Sequence, residues 1–284
     1  MTIATELTRV IELFQLPFMH RAVIGGVLTG FMGGLLGSFT IMRQLSFFSN
    51  ALGHSALLGI SLGVVLGLEP TSVLLPFAVV FGLGIAYLFR KTKLWTDALL
   101  NIIHSSALAL AIIILSSIDS YKGNLNTLFL GDILAVRPSD LWMGAVLLGC
   151  CVVFVALTMR MQMLVTLHEP MAIARGIDTD KQQMLFIVLL ALVVGVSIKA
   201  IGILLVSAFV VIPACTARLW SRSFMAYVWL SAIIGAVSAV VGIVASAFFN
   251  WPSGPSIVMI QFAVFVVAAL TSRTVMASLQ GSRT

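Results

Sequence analysis

Long apolar runs separated by short polar breaks set the layout of this chain. Residues 3–16 mix charged and apolar groups at helical spacing, with Ile3, Leu7, Val10, Ile11 and Phe14 on one side. That pattern predicts an amphipathic helix lying at a membrane interface and ended by Pro17. Apolar runs follow at about 18–42, 51–68, 73–89, 99–115 and 141–159, each near the roughly 20 residues that a helix needs to cross a bilayer. The run 184–217 is too long for one span, and Ile198, Lys199 and Ala200 interrupt it, which predicts a tight hairpin of two spans. Two final runs, at about 227–249 and 257–270, flank Asn250, Trp251, Pro252, Ser253, Gly254 and Pro255. The reading is nine spans, or eight if 184–217 stays whole.

Within these runs the small residues are periodic. Gly26, Gly30 and Gly34 fall at every fourth position with Gly33 and Gly37 beside them, and Gly59, Gly63 and Gly67 repeat the pattern in the second run. Such ridges let helices approach closely in lipid. Thr96 or Asp97 is placed to cap the fourth span. The stretch 125–136, inside a polar connection, is apolar enough to pack as a short helix. Glu169 and Pro170 can start a short helix that Gly176 ends.

Composition turns the pattern into a class. With 60% hydrophobic and 9% charged residues in 284, the chain carries more apolar surface than a soluble domain of this size buries. It reads as an all-α integral membrane protein, a polytopic bundle of about 8–9 transmembrane helices with no room for a sizeable soluble domain. The division is an amphipathic segment 1–17, one transmembrane domain 18–272 with a cytoplasmic loop at about 160–183, and a cytoplasmic tail 273–284. With the N-terminus outside, the inner side holds eleven of the Lys and Arg residues and the outer side five (Arg9, Arg21, Lys122, Arg137, Lys199), which satisfies the positive-inside preference. The net charge of +6 is spread singly over loops, and no basic patch with interleaved aromatics points to nucleic acid. Cys150, Cys151 and Cys215 form no CxxC pair and read as packing residues. The charges Glu6, Arg9 and Glu12 interrupt any cleavable signal, so the first span is expected to serve as its own insertion signal.

Candidate chemistry is sparse. There is no GxxxxGK[ST], so no P-loop, and no HExxH. Gly59-Ile60-Ser61-Leu62-Gly63 matches GxSxG but lies within an apolar helix instead of a strand-turn-helix elbow, so no catalytic residue is assigned. All ten carboxylates fall in loops or at span ends, whereas a proton-driven transporter usually keeps one at mid-span. Asn50 and His54 are four apart and share a helical face. His104 enters its own span from the same side at similar depth. Either histidine could simply bond a backbone carbonyl and hold two helices together. Imidazoles with a neutral amide oxygen could equally hold a divalent ion briefly and release it.

The stretch 43–67, RQLSFFSNALGHSALLGISLGVVLG, resembles the pattern that marks the membrane permeases of bacterial ABC importers for zinc and manganese, the metal-specific ABC-3 type. Leu128-Phe129-Leu130-Gly131-Asp132-Ile133-Leu134, the segment 169–176, the run 202–218 with Ile212-Pro213-Ala214, and 252–255 are also similar to that family, in order across about 18–270. The resemblance implies a homodimeric channel of type II, vitamin B12 permease-like architecture in the bacterial inner membrane. An extracytoplasmic metal-binding protein feeds such a channel and a separate ATPase drives it. No cofactor is permanently bound; the cargo is a transient divalent metal. The resemblance implies pathway ligands at Asn50 and His54, with His104 in support, and an ATPase-coupling helix carrying Glu169, Pro170, Arg175 and Gly176. Asp132 stands as an outer gate or as a helix cap. The family usually has aspartate where this chain has Asn50, which removes a charge. His104 with Ser105, Ser106 and Ala107 looks more like the zinc branch, so zinc is favoured over manganese or iron. The alternatives are a siderophore or cobalamin permease of the same architecture and, in a different class, a stand-alone secondary transporter or channel.

Overall fold

The computed structural model of the chain describes residue 12 and residues 14–92, 94–117 and 136–281, the side chains of 70, 71 and 273–281 excepted. Among these residues the helices are α1 (Pro17–Met42), α2 (Phe48–Val65), α3 (Pro70–Lys91), α4 (Thr96–Ser116), α5 (Pro138–Leu167), α6 (Glu169–Ala174), α7 (Thr179–Ile201), α8 (Val206–Trp220), α9 (Phe224–Phe249) and α10 (Ser253–Gly281). All except α6 and α8 are long and apolar enough to cross a membrane. Nearly all of the amphipathic segment, the short helix at 125–136 and Asp132 lie outside the described residues.

Helix α1 is the hub. Proline supplies its first turn, where a missing N–H costs nothing, and Met32, Leu35, Leu36 and Phe39 are fully buried among α9, α8, α5 and α7. Its glycines explain the fit. A Cβ on Gly30 would strike the carbonyl of Gly235, and one on Gly34 the carbonyl of Ser231. The close approach lets Ser231 donate a 2.6 Å hydrogen bond to the Gly34 carbonyl, and Tyr227 a 3.1 Å bond to that of Ser38. Gly33 meets the Phe209 carbonyl at 2.9 Å from a would-be Cβ. Pro213 lies four residues after Phe209 inside α8 and has no N–H to give that oxygen, so the oxygen is free to rest against α1. Gly26 and Gly63 are buried, and Gly59 accommodates the Phe77 ring.

Gly67 departs from the expected ridge. It lies beyond the end of α2 at φ +66 with nothing within 4 Å of its missing Cβ, so its part is the turn and not helix packing. The fourth span is preceded by Trp95, which gives no side-chain cap, and Thr96 and Asp97 sit inside its first turn. The fifth span extends further than 141–159 at both ends, reaching Leu167.

The run 184–217 is two helices, as its length requires. The turn comes at 202–205, a few residues later than the interruption suggests, because Lys199 finds Asp140 of α5 at 3.3 Å and need not break the helix. Gly202, at φ +91, makes the turn. With 15 residues, α8 spans about 22 Å at 1.5 Å per residue, short of the roughly 30 Å hydrocarbon core. It starts inside the bundle, where the Ile203 carbonyl faces Gly53 of α2.

The helix ends gather as the loop charges require. Arg43 bonds Thr166, Arg90 pairs with Asp180 at 2.9 Å, and Trp220 bonds Thr271, so the ends of α1, α3, α5 and α8 and the start of α7 share one side. Lys199 and Asp140 mark the other.

Candidate functional site

Helices α2, α4 and α8 surround a cavity of about 680 Å³ lined by Ser46, Phe47, Asn50, Asp97, Asn101, Ser207, Ala208, Val211 and Ile212. Its polar groups come from helical periodicity. Ser46 lies just before α2 and Asn50 in its first turn, and Asp97 and Asn101 are one turn apart on α4. The α2 and α4 helices pack along their lengths, so the two polar edges face each other. Apolar faces of both helices turn the other way, with Leu52, Ala56 and Leu100 buried in the core.

One turn beyond Asn50 and Asn101, His54 and His104 meet. Their ring centroids are 4.9 Å apart with the planes at 71°, and Phe47 closes edge-on against His104 at 5.9 Å. Both rings are half-buried. The Nδ1 of His104 is enclosed without a hydrogen-bond partner. No backbone carbonyl among the described residues takes up either imidazole, so the pair is not the carbonyl-bonded helix clasp that a membrane histidine often forms. Unsatisfied nitrogen inside a span is costly and is available to a ligand. No cluster of three or more His, Cys, Asp or Glu occurs among the described residues. Two imidazoles with flanking amides therefore make a shallow, incomplete donor set within one chain, suited to passing an ion along more than to trapping it.

The structure thus brings His54 and His104 together, one turn beyond the cavity that Asn50 lines. Asp132 lies outside the described residues. The sequence reading missed Asp97, taken as a cap, and left Asn101 and Ser207 without a role. The spacing of 97, 101 and 104, three positions on one helical face, was the available signal.

The segment 169–176 forms a separate site on the basic end. Pro170 stands in the first turn of α6, and Gly176 ends the turn at φ +75. Ala172 is fully buried against the bundle, while Met171 and Ile173 are 51% and 59% exposed. Glu169, Pro170 and Arg175 are exposed as well, so α6 is a ridge anchored by one alanine. Behind it, the first turn of α7 is capped by Asp178, which accepts from the Lys181 backbone N–H at 3.0 Å and pairs with the ammonium at 2.9 Å. The hydrogen bond from the Lys181 side chain, then that from its backbone, holds the Asp178 carboxyl below the usual carboxylate range.

Comparison with known proteins shows which family the chain belongs to. The chain is 32% identical over 259 residues to the manganese transport system membrane protein MntC of Listeria monocytogenes, covering 91% of this chain and 92% of that one. It is 29% identical over 259 residues to the high-affinity zinc uptake system membrane protein ZnuB of Haemophilus influenzae, covering 90% and 97%. Among solved structures, PsaBC from Streptococcus pneumoniae in complex with Fab superposes with a TM-score of 0.79 at 27% identity, covering 94% of this chain and 95% of that one. The fold is that of type II ABC importer permeases, and the chain is a multi-pass plasma-membrane protein. The model of the ABC 3 transport family matches residues 15–272, and the chain belongs to that family.

Proposed function

We propose that the chain is the membrane permease of an importer for a divalent transition metal, zinc first. The single observation that carries this reading is the His54–His104 pair, 4.9 Å between ring centres, set one turn beyond a cavity edged by Asn50, Asp97 and Asn101. Imidazole nitrogen is a favoured donor for zinc, and relatives named for zinc and for manganese support metal as the cargo class. The oxygen-rich cavity mouth favours a second reading, manganese, whose preferred donors are carboxylate, carbonyl and water.

In this reading an extracytoplasmic binding protein delivers the ion, the histidine pair takes it transiently, and Asn101 and Asp97 receive it on the way to the basic side. A polar edge shared by α2, α4 and α8 cannot face lipid without cost, which supports a second copy of the chain against it and a conduit between the two. The ridge α6 seats in a separate ATPase subunit. Uptake of radioactive zinc and manganese in cells lacking the chain, with and without its restoration, tests the reading. Restored zinc uptake with a weaker manganese response is the expected result. Restoration of neither metal overturns it.

A further inference from the structure

The cation that ends α1 has a place in the coupling that no motif assigns. Arg43 is packed where α1, α5 and α7 meet, 4.4 Å over the ring of Phe186. Its Nε donates to Thr166 Oγ1 at 3.0 Å and its Nη2 to Gln162 Oε1, while Gln162, 1% exposed, donates onward to Gln182 Oε1 at 2.7 Å. The remaining nitrogen, Nη1, is buried with no partner. No carboxylate pairs with this guanidinium among the described residues. A half-buried cation without a counter-charge is costly, and its buried, unpartnered Nη1 is where the cost concentrates.

A cavity of about 170 Å³ adjoins it, lined by Arg43, Val165, Thr166, Glu169 and Gln183. Glu169 is the first residue of α6 and has no ion-pair partner among the described residues. An unpartnered arginine nitrogen and an unpartnered carboxylate therefore border one small space, one at the end of α1 and the other at the start of α6. On the other side of Arg43, Gln44 takes a left-handed φ of +57, a costly conformation for a residue with a side chain. Leu45 N–H then reaches back to the Thr40 carbonyl at 2.9 Å before α2 begins at Phe48. The hydrogen-bonded end of α1 is followed by only Ser46 and Phe47 before α2, a short route from Arg43 to Asn50 and His54.

We propose that Arg43 is a positioning residue that pairs with Glu169 when α6 is pressed toward the bundle, and that this alternate pairing transmits the movement of the coupling helix to the metal path on α2. The proposal rests on α6 being the ATPase contact. Two discrete partnerings of one guanidinium, with Thr166 and Gln162 alone or with Glu169 added, give the bistable element that such transmission needs.

The test is a double-mutant cycle with Arg43→Gln and Glu169→Gln, made in the full importer with its ATPase subunit and binding protein in vesicles. It reads metal taken up per ATP hydrolysed, scaled to permease amount, so that a folding defect lowers the amount and not the ratio. Each single substitution is expected to lower the ratio by about tenfold, and the double by no more than either alone, since both remove the same pair. Arg43→Lys, which keeps the charge but loses the fork, is expected to restore the ratio to within about threefold of wild type. Losses that multiply to about a hundredfold in the double variant overturn the proposal, as does a wild-type ratio in Arg43→Gln. Retention of the ATPase subunit is measured in parallel with Arg175→Glu. If that variant keeps the subunit fully bound, the docking reading fails on its own, whatever the cycle returns.

Discussion

At the residue scale the proposed function rests on a few polar side chains inside or beside the spans. His104 has an enclosed nitrogen without a partner and faces His54 across 4.9 Å, and in the proposed function each ring is half of a donor pair. His104→Ala is expected to lower uptake by about tenfold, about 1.4 kcal/mol of ion stabilisation, at unchanged permease amount in the membrane, and initial-rate uptake checks it. Asp178 shows a different economy. Its carboxyl is held below the usual range by Lys181, and a depressed carboxylate contributes its stability above the unfolded pKa of about 3.9 and loses it as pH falls through the lower folded value. Protection of the first-turn amides of α7, taken relative to the intrinsic exchange rate at each pH, is therefore expected to hold from neutral pH down to about pH 5 and to weaken below about pH 4. Asp178→Ala brings the weaker protection to neutral pH.

At the element scale, helix contact is set by where a methyl group cannot go. Gly34 lies against the Ser231 carbonyl and Gly67 lies against nothing, although both belong to the same four-residue pattern in sequence. Gly34→Val is expected to cost about 3 kcal/mol or more through overpacking, whereas Gly67→Ala costs roughly 1–2 kcal/mol through its left-handed backbone alone. Thermal unfolding of the purified permease in detergent separates the two. This pair also shows what the sequence could express. Apolar run length gave eight of the nine expected spans, because hydrocarbon thickness dictates them, and it gave the α7–α8 division, although α8 with its 15 residues is too short to cross. The turn moved to Gly202 because the Lys199–Asp140 pair, formed across 59 residues, keeps α7 helical past its charge. A contact between distant segments leaves no mark in local periodicity.

At the scale of the whole molecule, the histidine path and the ridge α6 lie on different elements joined through α1, α5 and α7. Arg175→Glu or Glu169→Lys is expected to abolish transport and to weaken co-purification of the ATPase subunit, since Ala172 anchors the ridge and its exposed residues are left for a partner. The candidate site was legible in part. Asn50, His54 and His104 stood out because amides and imidazoles are rare in apolar runs, while Asp97 was hidden by its position in a first turn, where a carboxylate has an ordinary helix-stabilising reason to be. Only the pairing of α2 with α4 shows that it borders the same cavity as Asn50. The most direct measurement of the central claim is zinc uptake by cells whose only copy of the chain carries His54→Ala, with permease amount matched to wild type. The account predicts a fall of about tenfold or more; uptake at the wild-type rate would contradict it.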